Sequence, residues 1–239
     1  MNKMKTTIAA AILLMLFGSI LQAQDGGTIP FSKQNKGGYY TSFAAGMGAA
    51  YGNNSSLNTF ISYELPNYNN LTENQKLKDF RTGFEFFGNI ERQFAKTLAV
   101  KLDYSYFIKS NKLDAYPNNS YDYTNHQITL GLNYIIPGDY YFLKFGLGAG
   151  PVFSSLDSKS YINNIGTYTS TGLLAKAEGT FSIQIGKNMA GYINGYVGNT
   201  FNGSLKDSNG KELKNAANEN VNLSSFMLGV RIGIEFYIF

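Results

Sequence analysis

The sequence predicts an all-β fold, an eight-stranded antiparallel up-and-down transmembrane β-barrel. Three observations point to it: an export signal at the N-terminus, an apolar alternation of period two along the rest of the chain, and connections that alternate short and long. Composition agrees with this class. Among 239 residues there are 18 Tyr, 18 Phe and 26 Gly, no Cys or Trp, and only 15% charged residues. That balance favours strands and turns over amphipathic helices.

The chain opens Met1-Asn2-Lys3-Met4-Lys5, continues through an apolar run from Ile8 to Leu21 and reaches Gln22-Ala23-Gln24. A basic start, a short apolar core and a small residue at a cleavage point describe a secretory signal peptide, assigned to residues 1–23 with cleavage after Ala23. The run is shorter than the ~20 residues that a spanning helix needs. Residues 24–37, polar and Gly-containing, read as a periplasmic lead-in, and residues 38–239 as the barrel domain. Loss of Lys3 and Lys5 leaves 18 basic against 16 acidic residues, a near balance that points to no nucleic-acid partner. Without cysteine there is no disulfide, thiol nucleophile or lipid-modified Cys, so any anchoring falls to the fold itself.

Period-two alternation marks strands with two unlike faces. It occurs at about 38–51, 79–92, 97–109, 122–136, 140–153, 170–186, 190–201 and 223–239. Each segment is long enough to cross a bilayer, which takes ~9 to 11 tilted residues. Short connections fall at 93–96, 137–139 and 186–189; long ones fall at 52–78, 110–121, 154–169 and 202–222. Short periplasmic turns opposite long external loops, with an even strand count, place both termini in the periplasm and let the first and last strands close the sheet. Closure removes the edges that lipid could not hydrogen-bond.

The last strand alternates most regularly. Phe226, Leu228, Val230, Ile232, Ile234, Phe236 and Ile238 share one face, read as facing lipid, and Met227, Gly229, Arg231, Gly233, Glu235, Tyr237 and Phe239 share the other. The same parity sends Leu98 to Ile108, His126 to Ile136 and Tyr141 to Ala149 outward, with Tyr104, Tyr106, Tyr134 and Tyr141 near strand ends as an interfacial girdle. In the seventh strand Tyr192 with Tyr196, or Ile193 with Val197, fit the lipid side equally well.

On these residues the chain resembles the OmpA/OmpX-type small barrels, the broad porin-like family of outer-membrane β-barrel domain proteins, over residues 38–239. The resemblance is most specific at the end, where Arg231, Gly233, Phe236 and Ile238 match the family's assembly signal and Phe239 follows one residue later. It implies outer-membrane lipid, lipopolysaccharide and the barrel assembly machinery as partners. It implies no peptidoglycan-binding domain, since no further segment follows the barrel.

Inward parity also collects ten charges: Arg81, Glu85 and Glu91; Lys101 and Asp103; Lys144; Lys176 and Glu178; Arg231 and Glu235. Unpaired charges in a narrow interior are costly, and an eight-stranded interior is just wide enough for side chains to fill. The expectation is an ion-paired, plugged lumen, with Gly46, Gly48, Gly146, Gly148 and Gly150 leaving room for the long side chains. The lipid-A hydrolases among small barrels place a Ser two residues from a His. Here His126 is followed by Gln127 and Ile128, so the reading is non-enzymatic, with no cofactor or metal. The Gly-rich run 146–150 lies within a strand and offers no helix N-terminus to a phosphate. The function expected is an anchor presenting external loops, whose ligand the sequence does not name. A narrow conduit for small or hydrophobic solutes is the alternative, and a lipid-A-modifying enzyme the second.

Overall fold

The computed structural model describes residues 39–64, 82–113, 119–160, 166–215 and 217–239. The signal peptide, the whole lead-in and Arg81 lie outside the described residues. Eight strands run in order: β1 (Thr41–Asn53), β2 (Thr82–Ala95), β3 (Leu98–Leu113), β4 (Asn119–Pro137), β5 (Tyr141–Ser160), β6 (Gly166–Gly186), β7 (Met189–Asn202) and β8 (Ser225–Ile238). Each pairs antiparallel with the next, and β8 pairs with β1 from Thr41↔Ile238 to Asn53↔Phe226, closing the barrel. The architecture is the one the alternation predicts.

The wall divides by parity. Outward residues of β8, from Phe226 to Ile238, are exposed, as are Leu102, Leu130, Leu132, Phe145, Leu147 and Leu173 on β3 to β6. A closed barrel with this much apolar surface outside is stable only in lipid, where the same side chains are buried. The structure also decides the facing of β7. Tyr192 and Tyr196 are buried in the interior, whereas Ile193 and Val197 are exposed on the outer wall. Interior partners settle this: Tyr192 packs on Phe87, and the Tyr196 hydroxyl donates to Glu85.

Two of the three short turns share one device. A strand irregularity falls after Gln93 and after Gln184, and each glutamine amide donates to a turn carbonyl, Lys96 O at 2.9 Å and Gly186 O at 3.0 Å. At the opposite end the sequence reading requires correction. Strands β3 to β6 run past their predicted ends, β6 reaching 21 residues, so segments expected to be loops are a sheet that continues past the apolar band of the wall. Its outer face carries residues such as Asp122, Asp157 and Lys159, so this extension has no apolar stripe to betray it. A helix, α1 (Ser55–Glu64), also stands where no helix was expected. It is short, and Asn54 caps it, its Oδ1 accepting from Leu57 N at 3.0 Å.

The interior holds apolar clusters at both ends. Tyr40, Ala99, Ile135, Phe142, Ala190 and Tyr237 fill the end with the short turns, and Phe239 packs against them. Leu57, Phe60, Phe107, Tyr123, Leu156, Leu205, Val221, Leu223 and Met227 belong to a second cluster at the far end. Between them lies a polar layer.

Candidate functional site in the barrel lumen

Strand parity aims Glu85 and Glu91 of β2, Lys101 and Asp103 of β3, Lys144 of β5, Lys176 and Glu178 of β6, and Arg231 and Glu235 of β8 into the lumen, where all nine are buried. They form two groups.

The first group centres on Arg231. Its Nη2 donates to Glu85 Oε1 at 2.5 Å and its Nη1 reaches both oxygens of Asp103, at 3.0 and 3.2 Å. The guanidinium carbon stands 4.6 Å from the Tyr196 ring centre and 5.3 Å from that of Phe87, so cation–π attraction acts on a fully buried cation. Asp103 is shared with Lys176, whose Nζ lies 2.5 Å from Oδ2. Lys176 also stands 3.7 Å from Glu178, which pairs with Lys101. Glu85 takes one further bond, from the Tyr196 hydroxyl at 2.9 Å.

The second group lies nearer the short turns. Lys144 Nζ sits between Glu91 and Glu235, 2.7 Å from each, and 5.4 Å from the ring centres of Tyr40 and Tyr237. Both carboxylates accept further bonds: Glu91 from Tyr40 and Asn133, Glu235 from Ser42, Ser182 and Tyr237. Buried ions are tolerable when their lone pairs and protons are satisfied in this way. Chemically the arrangement ties β2, β3, β5, β6 and β8 together across the bore, and the carboxylates point at cations rather than at open space.

The glycines act in two ways. A Cβ on Gly146 would collide with Asn133 Oδ1, so this glycine makes room for a side chain, though for an asparagine and not a long cation; one on Gly148 would meet Lys176 Cε at 3.7 Å, an ordinary contact. Gly46, Gly48 and Gly150 instead allow close strand approach, since a Cβ at any of them would collide with a neighbouring backbone carbonyl; at Gly48 it would also stand 3.0 Å from Arg231 Cγ. Lys109, buried on the inward face of β3, belongs to the same set of interior charges and was missed. The parity of Lys101 and Asp103, carried six residues further, would have found it.

The residues of the terminal motif separate across the wall. Arg231 is in the ionic layer, Gly233 faces Gly46 at the β1–β8 seam, and Phe236 and Ile238 are exposed on the outer face. Phe239 turns to the mouth, stacked on Tyr237 at 5.9 Å and edge-on to Tyr40 at 6.5 Å. His126 is exposed on the outer wall, stacked on Tyr106 at 4.5 Å, with Nδ1 2.9 Å from the Tyr104 hydroxyl.

The closed eight-stranded wall, its apolar exterior and its alternation of tight turns with long connections define an outer-membrane β-barrel protein. No family model matches the chain, and no curated protein matches it. Solved structures of the same type are similar to it. Neisserial surface protein A is 13% identical, with a TM-score of 0.48 over 83% of this chain and 95% of that one. The attachment invasion locus protein of Yersinia pestis, in complex with the heparin analogue sucrose octasulfate, is 13% identical, with a TM-score of 0.47 over 83% and 99%. The outer membrane protein OprG of Pseudomonas aeruginosa is 12% identical, with a TM-score of 0.49 over 83% and 95%. The likeness is one of fold.

Proposed function

We propose that the chain is a non-enzymatic anchor in the outer membrane, a rigid barrel with a plugged lumen that holds a folded external platform. The observation that carries this reading is the ion-paired layer, in which four described cations and five described carboxylates cross-link five strands through the bore. A cavity between Leu57, Phe107, Tyr123 and Met227 holds about 20 Å³, enough for a single water. The anchor reading puts the short turns, Tyr40 and Phe239 in the periplasm and α1 with the projecting sheet outside. The outward face then meets lipid and lipopolysaccharide, and β8 is the strand offered to the barrel assembly machinery. Planar-bilayer recording tests the plug: the reading expects negligible conductance, and large, stable single-channel currents from the unmodified protein would replace it with a narrow conduit.

A further inference from the structure

The last external connection, residues 203–224, is not an irregular loop. It contains two eight-residue units, one opening Leu205-Lys206-Asp207 and the next Leu213-Lys214-Asn215, and a third begins at Val221-Asn222. The first two fold alike. Asp207 Oδ1 accepts from the backbone of Asn209 and Lys211, and Asn215 Oδ1 from that of Ala217 and Glu219, at 2.9 to 3.0 Å. The sixth residue of each is left-handed, Gly210 at φ 79° and Asn218 at φ 64°, a region that Gly and Asn enter at least cost.

The units then close a ring of backbone bonds. Leu213 N donates to Leu205 O, Val221 N to Leu213 O, and Leu205 N to Val221 O, at 2.8 to 2.9 Å. Leu205, Val221 and Leu223 are fully buried in the apolar cluster at this end of the barrel, and Leu213 packs against it. Lys206 exchanges two backbone bonds with Thr169 of β6, the Asn202 side chain of β7 donates to Leu223 O, and Asn222 N donates to Ser56 Oγ of α1. The piece is therefore locked to two strands and the helix. The described ion pairs draw on side chains of the barrel wall alone, and the two layers meet at Tyr196, which belongs to the apolar cluster and bonds Glu85.

We propose that this ring of repeats, with α1, is a lid that closes the external mouth on its own. It covers the water-sized cavity beside Met227 above the ion pairs, so that the bore carries two independent closures. The inference rests on the reading of the lumen as plugged, and deepens it by placing a separate seal on the external side.

The chain has no cysteine, so a single introduced thiol reports access. Met227→Cys lines the small cavity under the lid, and Ser182→Cys lies beneath the Arg231 group, beside Glu235. A membrane-impermeant maleimide is added outside cells carrying the full chain. The lid is opened by Leu205→Asp with Val221→Asp, or by Leu213→Asp alone if the pair does not fold, folding being read from heat-modifiable gel mobility. The expected result is labelling of Met227→Cys at least about tenfold faster with the lid opened, while Ser182→Cys stays unlabelled. Equal rates at Met227→Cys with and without the lid changes would overturn the lid. So would labelling of Ser182→Cys once the lid alone is opened, since the bore would then have one closure. Labelling of Ser182→Cys with the lid intact is a different outcome, and it refutes the plugged lumen itself.

Discussion

Replacing Arg231 by Met is the sharpest test of the ionic layer. The change keeps much of the side-chain stem and removes a charge with no exposure to solvent, bonded to Glu85 and Asp103. Its two partners are left unequal. Asp103 still holds Lys176 at 2.5 Å, whereas Glu85 keeps only the neutral Tyr196 hydroxyl at 2.9 Å. Removing one member of a buried pair costs roughly 3 to 5 kcal/mol, because a charge stays behind uncompensated, and here that penalty falls mainly on Glu85. Arg231→Met with Glu85→Gln removes the stranded charge and should restore most of the loss. What remains should reflect lost hydrogen bonds at about 1 kcal/mol each. Urea unfolding in lipid vesicles, followed by tyrosine fluorescence and gel mobility, gives the three differences for a double-mutant cycle. A single-variant loss under about 1 kcal/mol, or a double variant equal to the sum of its singles, would refute the claim that Arg231 and Glu85 form a desolvated pair.

Three further outcomes follow from the wall and its seam. Ile234→Arg, on the lipid face of β8, should lose about 2 to 4 kcal/mol in bilayers; unchanged folding would mean that the lipid-facing register is wrong. Gly233→Ala should impair closure, because a Cβ there would collide with the Ala45 carbonyl across the β1–β8 seam, and unaltered heat-modifiable mobility would count against that close approach. Removing Phe239 alone should slow assembly less than removing residues 236–239, which takes the outward Phe236 and Ile238 with it; equal defects in a pulse-chase assembly assay would make Phe239 part of the signal.

The fold was readable because lipid imposes one rule on the outer wall. In β8, seven apolar residues at alternate positions leave no second choice of face. In β7 the rule lost its force, since Tyr and Ile both suit a membrane interface, and only the partners Phe87 and Glu85, distant in sequence, decide. Parity likewise put charges on the inner face but could not say that Lys144 would span Glu91 and Glu235, because that depends on curvature around the bore. Beyond the membrane the rule ends. The extensions of β3 to β6 and the helix α1 carry mixed Ser, Thr, Asn and Tyr, whose order follows local capping and packing. The eight-residue repeat was present in the letters, Leu-Lys-Asp and then Leu-Lys-Asn, but two copies in a loop are easily passed over.

The inward turn of Phe239 has a practical consequence. A purification tag joined to the carboxyl end would have to leave from beside the rings of Tyr40 and Tyr237, unseating the aromatic stopper over Lys144 and altering the molecule it was meant to report on. The Ser208-Asn209-Gly210 tip of the first repeat is exposed at the opposite end. An epitope inserted there would hang in solution from a turn whose buried foot, Leu205, stays in place.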